Sequence, residues 1–562
     1  MSAMTKLNDP DDLLYLLGDP GLFQIIQFML LACQFIPAMM SDFMPIYHNI
    51  RPRAVRIPEQ FSSTLDNASL MAGEKKMYNL SSFCEFFPDV NAENAGLEYV
   101  YADRQWSVVG EMDLICKRSW LPEFATTIYF LGQIAASPVC GFIADKYGRR
   151  PTVLVCNLMF TLFAVSMAFS YYYPIFVILS FFLGLFKQGI QATSVILMIE
   201  WIQPKRRAIW SAIAQFPFSF AVIIFAGTGY FLRNWRYIQI VVGLSNFTAL
   251  AFYWFAPESL RWLILHGRQH ETRKVCANVA KFNGISLGDD QLDEINHISA
   301  KRAPATAAAP AASQSLFVCF KTKYLRLFTL MGCFLWMATF FVYFSFSFLV
   351  ANMSGSIYLN IAISGCMELI PRSIGIFMAK KFTNRASLCG YFAVAGVLAI
   401  IAGVLPEQHG VVQTVLALLG RMSVVGCFAV MQVLTSELLP TIARNSGFGW
   451  CCVAMRTGCM VAPQLVFLAT VTPFKGMPLV VAGAASLLAA GITILVPETS
   501  DMRLLATVEE VESFGKREML AFRHKDIPVI TVLKSTIRKR HAAQKSTSPP
   551  LVISHDYNNG ET

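Results

Sequence analysis

The chain has 562 residues, of which 55% are hydrophobic and only 15% charged, with a mean hydropathy of +0.49. Too few polar side chains are present to cover that apolar surface in water, which excludes a soluble or disordered chain and makes lipid the expected solvent. The formal net charge of +10 does not mark a nucleic-acid binder, because the lysines and arginines lie between apolar runs and in the tail, where membrane orientation accounts for them.

Residues 1–20 are polar and acidic, not a basic run leading into a short apolar segment, so no cleavable signal is expected and the first apolar run should stay as an anchor. Windows of about 20 residues predict about twelve membrane spans. They fall near 22–40, 124–144, 151–170, 174–199, 208–230, 236–256, 326–349, 356–378, 387–405, 411–433, 447–468 and 477–496. Basic clusters follow alternate spans: Lys146/Arg149/Arg150, Lys205/Arg206/Arg207, the segment from Arg261 to Arg326, Lys380/Lys381/Arg385, Arg444 and the tail. An even number of spans puts all of these, and both termini, in the cytosol. The expected organisation is a cytosolic N-terminus (1–21), a six-helix half (22–256), a cytosolic linker (257–325), a second six-helix half (326–496) and a cytosolic tail (497–562).

Between the first two spans, residues 41–123 form a long polar segment that the topology places outside. It carries the glycosylation sequons Asn67-Ala68-Ser69 and Asn79-Leu80-Ser81, together with Cys84 and Cys116. The linker contains the Ala/Pro stretch from Ala303 to Ala312, a flexible-linker composition. Most of the remaining cysteines are scattered singly through apolar runs, Cys451-Cys452 is adjacent rather than metal-spaced, and no C-x-x-C, H-E-x-x-H, Walker or Rossmann pattern occurs, so no metal or cofactor is expected. All eight histidines fall outside the predicted spans, which speaks against a histidine proton relay.

The run from Gly141 through Asp145, Gly148, Arg149 and Arg150 to Pro151 joins the second and third spans. Gly141 is expected to let backbones approach closely, Gly148 to turn the chain, and Pro151 to sit in the first turn of the next helix. A weaker copy survives at Gly375, Asn384 and Arg385.

Ionisable groups inside a bilayer cost roughly 2.5–3.5 kcal/mol each on insertion scales and therefore face a cavity or a partner. Lys187, Glu368, Arg372 and Arg456 stand well inside predicted spans, whereas Glu200, Arg421 and Glu437 sit nearer span ends, where structural or gating roles fit. Glu368 and Arg372 are spaced i, i+4 and are able to pair along one helix face. Lys187 either snorkels or faces the cavity. Arg456 has no carboxylate within a turn and needs a substrate or an inter-helix partner. The seventh span adds Trp336, Phe340, Phe341, Tyr343, Phe344, Phe346 and Phe348, either a packing stripe or the wall of a cavity for bulky ligands.

The G-x-x-x-D-x-x-G-R-R-P order resembles the signature loop of the major facilitator superfamily. More narrowly, Trp106 through Cys116 to Trp120, Glu200-Trp201 with Pro204-Lys205-Arg206-Arg207, Pro257-Glu258-Ser259-Leu260-Arg261-Trp262-Leu263, Ser436-Glu437-Leu438-Leu439-Pro440-Thr441 with Arg444-Asn445, and Pro497-Glu498-Thr499 resemble the organic ion transporters of solute carrier family 22. The resemblance implies an all-α membrane protein of the major facilitator fold, in two six-helix halves that move small organic ions across the plasma membrane by alternating access. It also implies a conformational latch of Gly141, Asp145, Gly148, Arg149, Arg150 and Glu200, with Glu437 and Arg444 in the second half.

By the same resemblance Arg456 matches an arginine of the anion and carnitine carriers where cation carriers have aspartate. Arg372 stands in the place of a lysine of the anion carriers. Tyr343 and Tyr230 match tyrosines lining the anion carriers' cavity, and Phe344 replaces a second tyrosine. The expected substrate is an organic anion, with an exchange dicarboxylate as counter-substrate. An organic cation or zwitterion carrier is the alternative, and a non-transporting receptor on the same fold a third. Many relatives carry more loop cysteines. Cys84 and Cys116 share the oxidising side and are expected to pair.

Overall fold

The computed structural model describes residues 10–18, 21–56, 77–80, 83–84, 98–101, 106–247, 255–286, 316–351, 353–381, 383–440, 443–499, 505 and 507–524. Ten stretches among them are helices long and apolar enough to cross a membrane. In chain order the helices are α1 (Pro10–Leu16), α2 (Leu22–Cys33), α3 (Phe35–Phe43), α4 (Pro45–His48), α5 (Leu121–Tyr147), α6 (Arg149–Ala168), α7 (Tyr173–Glu200), α8 (Arg207–Ile213), α9 (Phe216–Leu232) and α10 (Trp235–Ser245) in the first half. The short helices α11 (Leu260–Leu265) and α12 (Gln269–Phe282) follow. The second half holds α13 (Lys323–Ala351), α14 (Ile357–Lys381), α15 (Asn384–Val404), α16 (Gly410–Leu438), α17 (Arg444–Val471) and α18 (Met477–Leu495), and α19 (Val508–His524) lies in the tail. The predicted spans near 236–256 and 356–378 correspond to α10, which runs toward residues outside the described set, and to α14, made polar by Glu368 and Arg372.

Local chemistry sets many of these boundaries. Proline occupies the first turn of α5, α7, α9 and α18, where its missing N–H leaves no hydrogen bond unmade. Side chains of Asn234, Ser259 and Thr383 cap α10, α11 and α15 by accepting the N–H of Arg236, Trp262 and Ala386. Gly148, at φ +112°, is the whole turn between α5 and α6, a conformation that L side chains rarely adopt.

The first span differs from the prediction. Asp42 ends the apolar run and suggests a stop near 40, yet α2, α3 and α4 carry the span to His48. The outer segment therefore begins after His48. That histidine is buried between Phe176 and Trp235, at ring distances of 5.3 and 5.4 Å, and so is not a loop residue.

Close helix crossings use small residues, as dispersion packing in lipid requires. A Cβ on Gly132 of α5 would lie 2.1 Å from the Phe181 carbonyl oxygen of α7, and one on Gly184 of α7 would lie 2.0 Å from the Tyr129 carbonyl oxygen of α5. In the second half a Cβ on Gly458 of α17 would lie 2.3 Å from the Met337 carbonyl oxygen of α13, and Gly396 and Gly483 pair across α15 and α18. Gly141 departs from expectation: no atom comes within 4 Å of where its Cβ would be, so the close approach on α5 is made nine residues earlier, at Gly132. The two halves meet along α5 against α17 and α9 against α14.

The outer segment is not wholly irregular. A three-stranded antiparallel sheet of β1 (Ala54–Arg56), β2 (Met77–Asn79) and β3 (Glu98–Val100) runs in the order β2-β1-β3. Ala54 pairs with Asn79 and with Val100. Cys84 and Cys116 are joined as a disulfide with a Cα–Cα distance of 5.1 Å. Asn79 is exposed on β2, and Asn67 lies outside the described residues.

At the opposite end, α11 and α12 give the linker structure of its own, while Ala303 to Ala312 lies outside the described residues. Asn283 ties this region to the N-terminal helices, donating to the Leu17 carbonyl at 2.6 Å and accepting from the Phe23 N–H at 2.9 Å. The tail helix α19 sets the Glu512 carboxylate on the N–H groups of Tyr324 and Leu325, capping the start of α13 at 2.7 and 3.1 Å.

Candidate functional site

Two clusters of buried charge occupy the core between the halves. In the first, Lys187 of α7 places Nζ 2.5 Å from Asp42 Oδ2 of α3, with the side chains 0% and 1% exposed. The other Asp42 oxygen accepts from the Tyr129 hydroxyl and from Gln133 Nε2 of α5, each at 2.8 Å. One turn along α7, Gln191 Oε1 accepts from Lys187 at 2.9 Å. Arg456 reaches the same oxygen from α17 of the other half, at 3.0 Å, and Gln188 Oε1 at 2.6 Å. A neutral amide oxygen is thus held between two cations from opposite halves.

In the second cluster, Glu368 of α14 accepts at Oε1 from Arg421 of α16 at 2.6 Å and from the Tyr343 hydroxyl of α13 at 2.8 Å. Its Oε2 accepts from Arg372 at 3.1 Å and from Ser219 of α9 at 3.3 Å. Arg421 also donates to Ser347 at 3.0 Å and lies over the Tyr343 ring at 4.9 Å, while Arg372 crosses to Gln215 of the first half at 3.1 Å. The i, i+4 pair of Glu368 and Arg372 is therefore part of a larger group in which Arg421 makes the shorter contact.

Four cations, Lys187, Arg372, Arg421 and Arg456, share this interior with two carboxylates, Asp42 and Glu368, which leaves two positive charges uncompensated. Arg456 is 2% exposed, its Nε has no hydrogen-bond partner, and among the described residues no carboxylate pairs with it. Such a buried guanidinium is a ready donor for an anionic group.

Of the aromatic stripe on α13, Trp336, Tyr343, Phe344, Phe346 and Phe348 are buried and Phe340 and Phe341 half-buried, so it packs inside the protein. Phe344 lies 5.3 Å from Phe130 and 5.9 Å from Phe43, closing the space between the clusters. Tyr230 is not brought to them. It stands 52% exposed at the outer end of α9, against Tyr358 at 5.6 Å.

Sequence reading passes over Asp42 and the two glutamines, and it sets Arg421 near a span end, whereas Arg421 is buried near the middle of α16 (Gly410–Leu438). Gln188 and Gln191 carry no charge signal, although their spacing from Lys187 puts Lys187 and Gln191 on one face of α7.

The signature loop forms a second constellation. Arg149 pairs with Asp145 at 2.9 Å and lies 3.4 Å from Glu200. Glu258, just before α11, accepts from the N–H groups of Arg149, Arg150 and Ser259 at 3.0, 3.1 and 2.8 Å, capping the start of α6. Burial pushes the Glu258 carboxyl above its ordinary value, against those N–H groups and the Arg149 charge. The contacts of Asp145, Gly148, Arg149, Arg150 and Glu200 described here stay within the first half and the linker that follows it. The second half has a reduced counterpart: Glu437 accepts from Asn384 at 2.8 Å and Arg385 lies 3.9 Å from Glu498. Arg444 opens α17, with Nε and Nη2 unpartnered.

The family model of the Major Facilitator Superfamily matches residues 119–463. Organic anion transporter 3 of Oryctolagus cuniculus is 31% identical over 421 residues, covering 74% of this chain and 76% of the relative. The chain belongs to the major facilitator superfamily, among the organic ion transporters of solute carrier family 22. Other relatives of this family include an organic cation transporter protein of Drosophila melanogaster, 28% identical across 75% of the chain and 77% of the relative. Solute carrier family 22 member 3 of Mus musculus is 29% identical across 75% of each. The partially occluded inward open structure of the xylose transporter XylE from E. coli superposes with a TM-score of 0.60 over 85% of this chain and 99% of that one, at 15% identity, and so shares the fold.

Proposed function

We propose that this family 22 carrier moves small organic anions across the plasma membrane by alternating access of its two halves around the buried clusters. The chain is a multi-pass membrane transporter of small organic ions and not an enzyme. The observation that carries the anion reading is the Gln191 amide oxygen held between Lys187 and Arg456. A carboxylate or sulfonate oxygen entering there would replace a neutral acceptor with a charged one and strengthen both contacts. The two uncompensated positive charges favour the same ligand, and each buried carboxylate is already engaged by a cation, which leaves an organic cation no ready partner.

In this reading both termini are cytosolic, Asn67 and Asn79 carry glycans, and substrate gradients drive flux, including exchange for an intracellular dicarboxylate. The test is uptake by the expressed protein of a labelled anion and cation panel, with the cells preloaded or not with dicarboxylate. Anion uptake stimulated by internal dicarboxylate supports the proposal. Uptake confined to cations removes it.

A further inference from the structure

We infer that Gln191 of α7 sets the sign of charge this carrier accepts, its neutral amide oxygen standing in for the anionic oxygen of the substrate; this rests on the anion reading above. Among the described residues, Gln191 is the one side chain that accepts from both cations of the first cluster, Lys187 at 2.9 Å and Arg456 at 3.0 Å. Gln188 Oε1 takes Arg456 at 2.6 Å without Lys187, and Asp42 takes Lys187 at 2.5 Å without Arg456.

Position matters as well as reach. Asp42, Lys187, Gln188 and Arg456 are all buried, whereas Gln191 is half-buried. A ligand entering the space between the halves therefore meets the amide before it meets either cation. Lys187 and Gln191 stand one turn apart on one face of α7, so the amide covers the ammonium from the next turn.

Charge decides which ligand displaces the amide. The cluster sets Lys187 and Arg456 against the Asp42 carboxylate, a surplus of one positive charge. Hydrogen bonds to an ionised acceptor are roughly twice as strong as those to a neutral one, so a carboxylate or sulfonate oxygen replaces the Gln191 oxygen and a neutral ligand does not. An organic cation meets the same surplus and is repelled. When the anion leaves, the amide returns to both donors, which spares two buried cations the cost of standing unpaired and eases release. A carboxylate at this position would fill the site from within. An apolar side chain would leave the cations bare in the empty carrier and make them hold the substrate longer. Specificity here is the difference between the substrate's acceptor and the chain's own.

Two substitutions at this one position should act in opposite directions. The experiment follows thermal unfolding of the purified full chain with and without naphthalene-2-sulfonate, with the neutral naphthalene-2-sulfonamide as control, and labelled sulfonate uptake by the chain in liposomes. The parent should be stabilised by the sulfonate and not by the sulfonamide, since a ligand that binds the folded form raises its unfolding temperature. Gln191→Glu should unfold at a higher temperature than the parent when no ligand is present, gain nothing further from the sulfonate, and take it up with a KM raised about tenfold or more. Gln191→Met should unfold at a lower temperature, respond to the sulfonate more than the parent does, and show both a lower KM and a lower kcat. Sulfonate binding weakened alike in both variants means that the glutamine only packs, and overturns the inference. Binding by Gln191→Glu as tight as the parent's also overturns it, while leaving the anion reading standing. A parent that neither binds nor takes up the sulfonate removes both. Each variant carries a prediction of its own sign, so either decides the matter should the other fail to fold.

Discussion

Glu368 is bound by two arginines and a tyrosine in a space that excludes water, and its neighbours depend on it more than it depends on any one of them. Replacing it by glutamine leaves Arg421, 2% exposed, without a counter-charge. Breaking a buried pair in this way costs about 3–5 kcal/mol. Arg372→Gln should be milder, because Arg421 still neutralises Glu368. We therefore expect the thermal unfolding temperature of purified Glu368→Gln to fall well below that of Arg372→Gln, and the double variant to resemble Glu368→Gln. A Glu368→Gln protein as stable as the parent would show that solvent or lipid headgroups reach the cluster. Sequence made Lys187, Glu368, Arg372 and Arg456 legible, because a charge within an apolar run is conspicuous. It hid Asp42, since a hydropathy window reads a charge near its edge as the edge itself, and it set Arg421 nearer a span end than its place near the middle of α16. The glutamines that join the halves were invisible to any charge-based reading.

Glycine geometry governs the packing of the helices. Gly132 and Gly184 each lie on the other helix's backbone carbonyl, at 2.1 and 2.0 Å from an added Cβ, and backbone cannot move aside as a side chain can. Gly132→Ala or Gly184→Ala should cost at least the roughly 1–3 kcal/mol typical of overpacking, read as lower surface expression and melting temperature. Gly141→Ala, with open space around it, should be silent on both readouts. Equal effects at Gly132 and Gly141 would mean that the α5–α7 crossing is looser than described. At the loop, Gly148→Ala combines φ +112° with a Cβ 2.3 Å from Glu258 Oε2, so it should displace Glu258 from the α6 N-terminus and lower turnover more than surface expression. Asp145→Asn, which weakens the 2.9 Å pair with a half-buried Arg149, should have a smaller effect of the same kind. Uptake by Gly148→Ala at the parent rate per surface molecule would contradict the latch role. The signature loop was legible because its glycines and charges have a fixed order. Its Glu258 cap was not assigned to the latch, since that residue joins the loop only through folding.

The whole molecule is two helical halves that meet along α5 with α17 and α9 with α14, and the charge clusters lie where these pairs cross. That architecture was largely legible, because apolar runs of membrane length and alternating basic loops leave few alternatives. The small outer sheet was not, as its three-residue strands are too short to show a pattern. The proposed placement of that sheet outside the cell predicts that Asn79→Gln raises gel mobility and that glycosidase treatment erases the difference; identical mobility before treatment would contradict the outer topology. The central claim is that Arg456, shared between halves through Gln188 and Gln191, receives the substrate anion. The most direct measurement is labelled-anion uptake by Arg456→Asp, normalised to surface protein and set beside Arg456→Lys and a labelled cation. The account predicts that Arg456→Asp loses most anion uptake, that Arg456→Lys keeps part of it because lysine retains the charge but not the planar fork, and that cation uptake does not fall in parallel. Anion uptake by surface-expressed Arg456→Asp at the parent rate would contradict it.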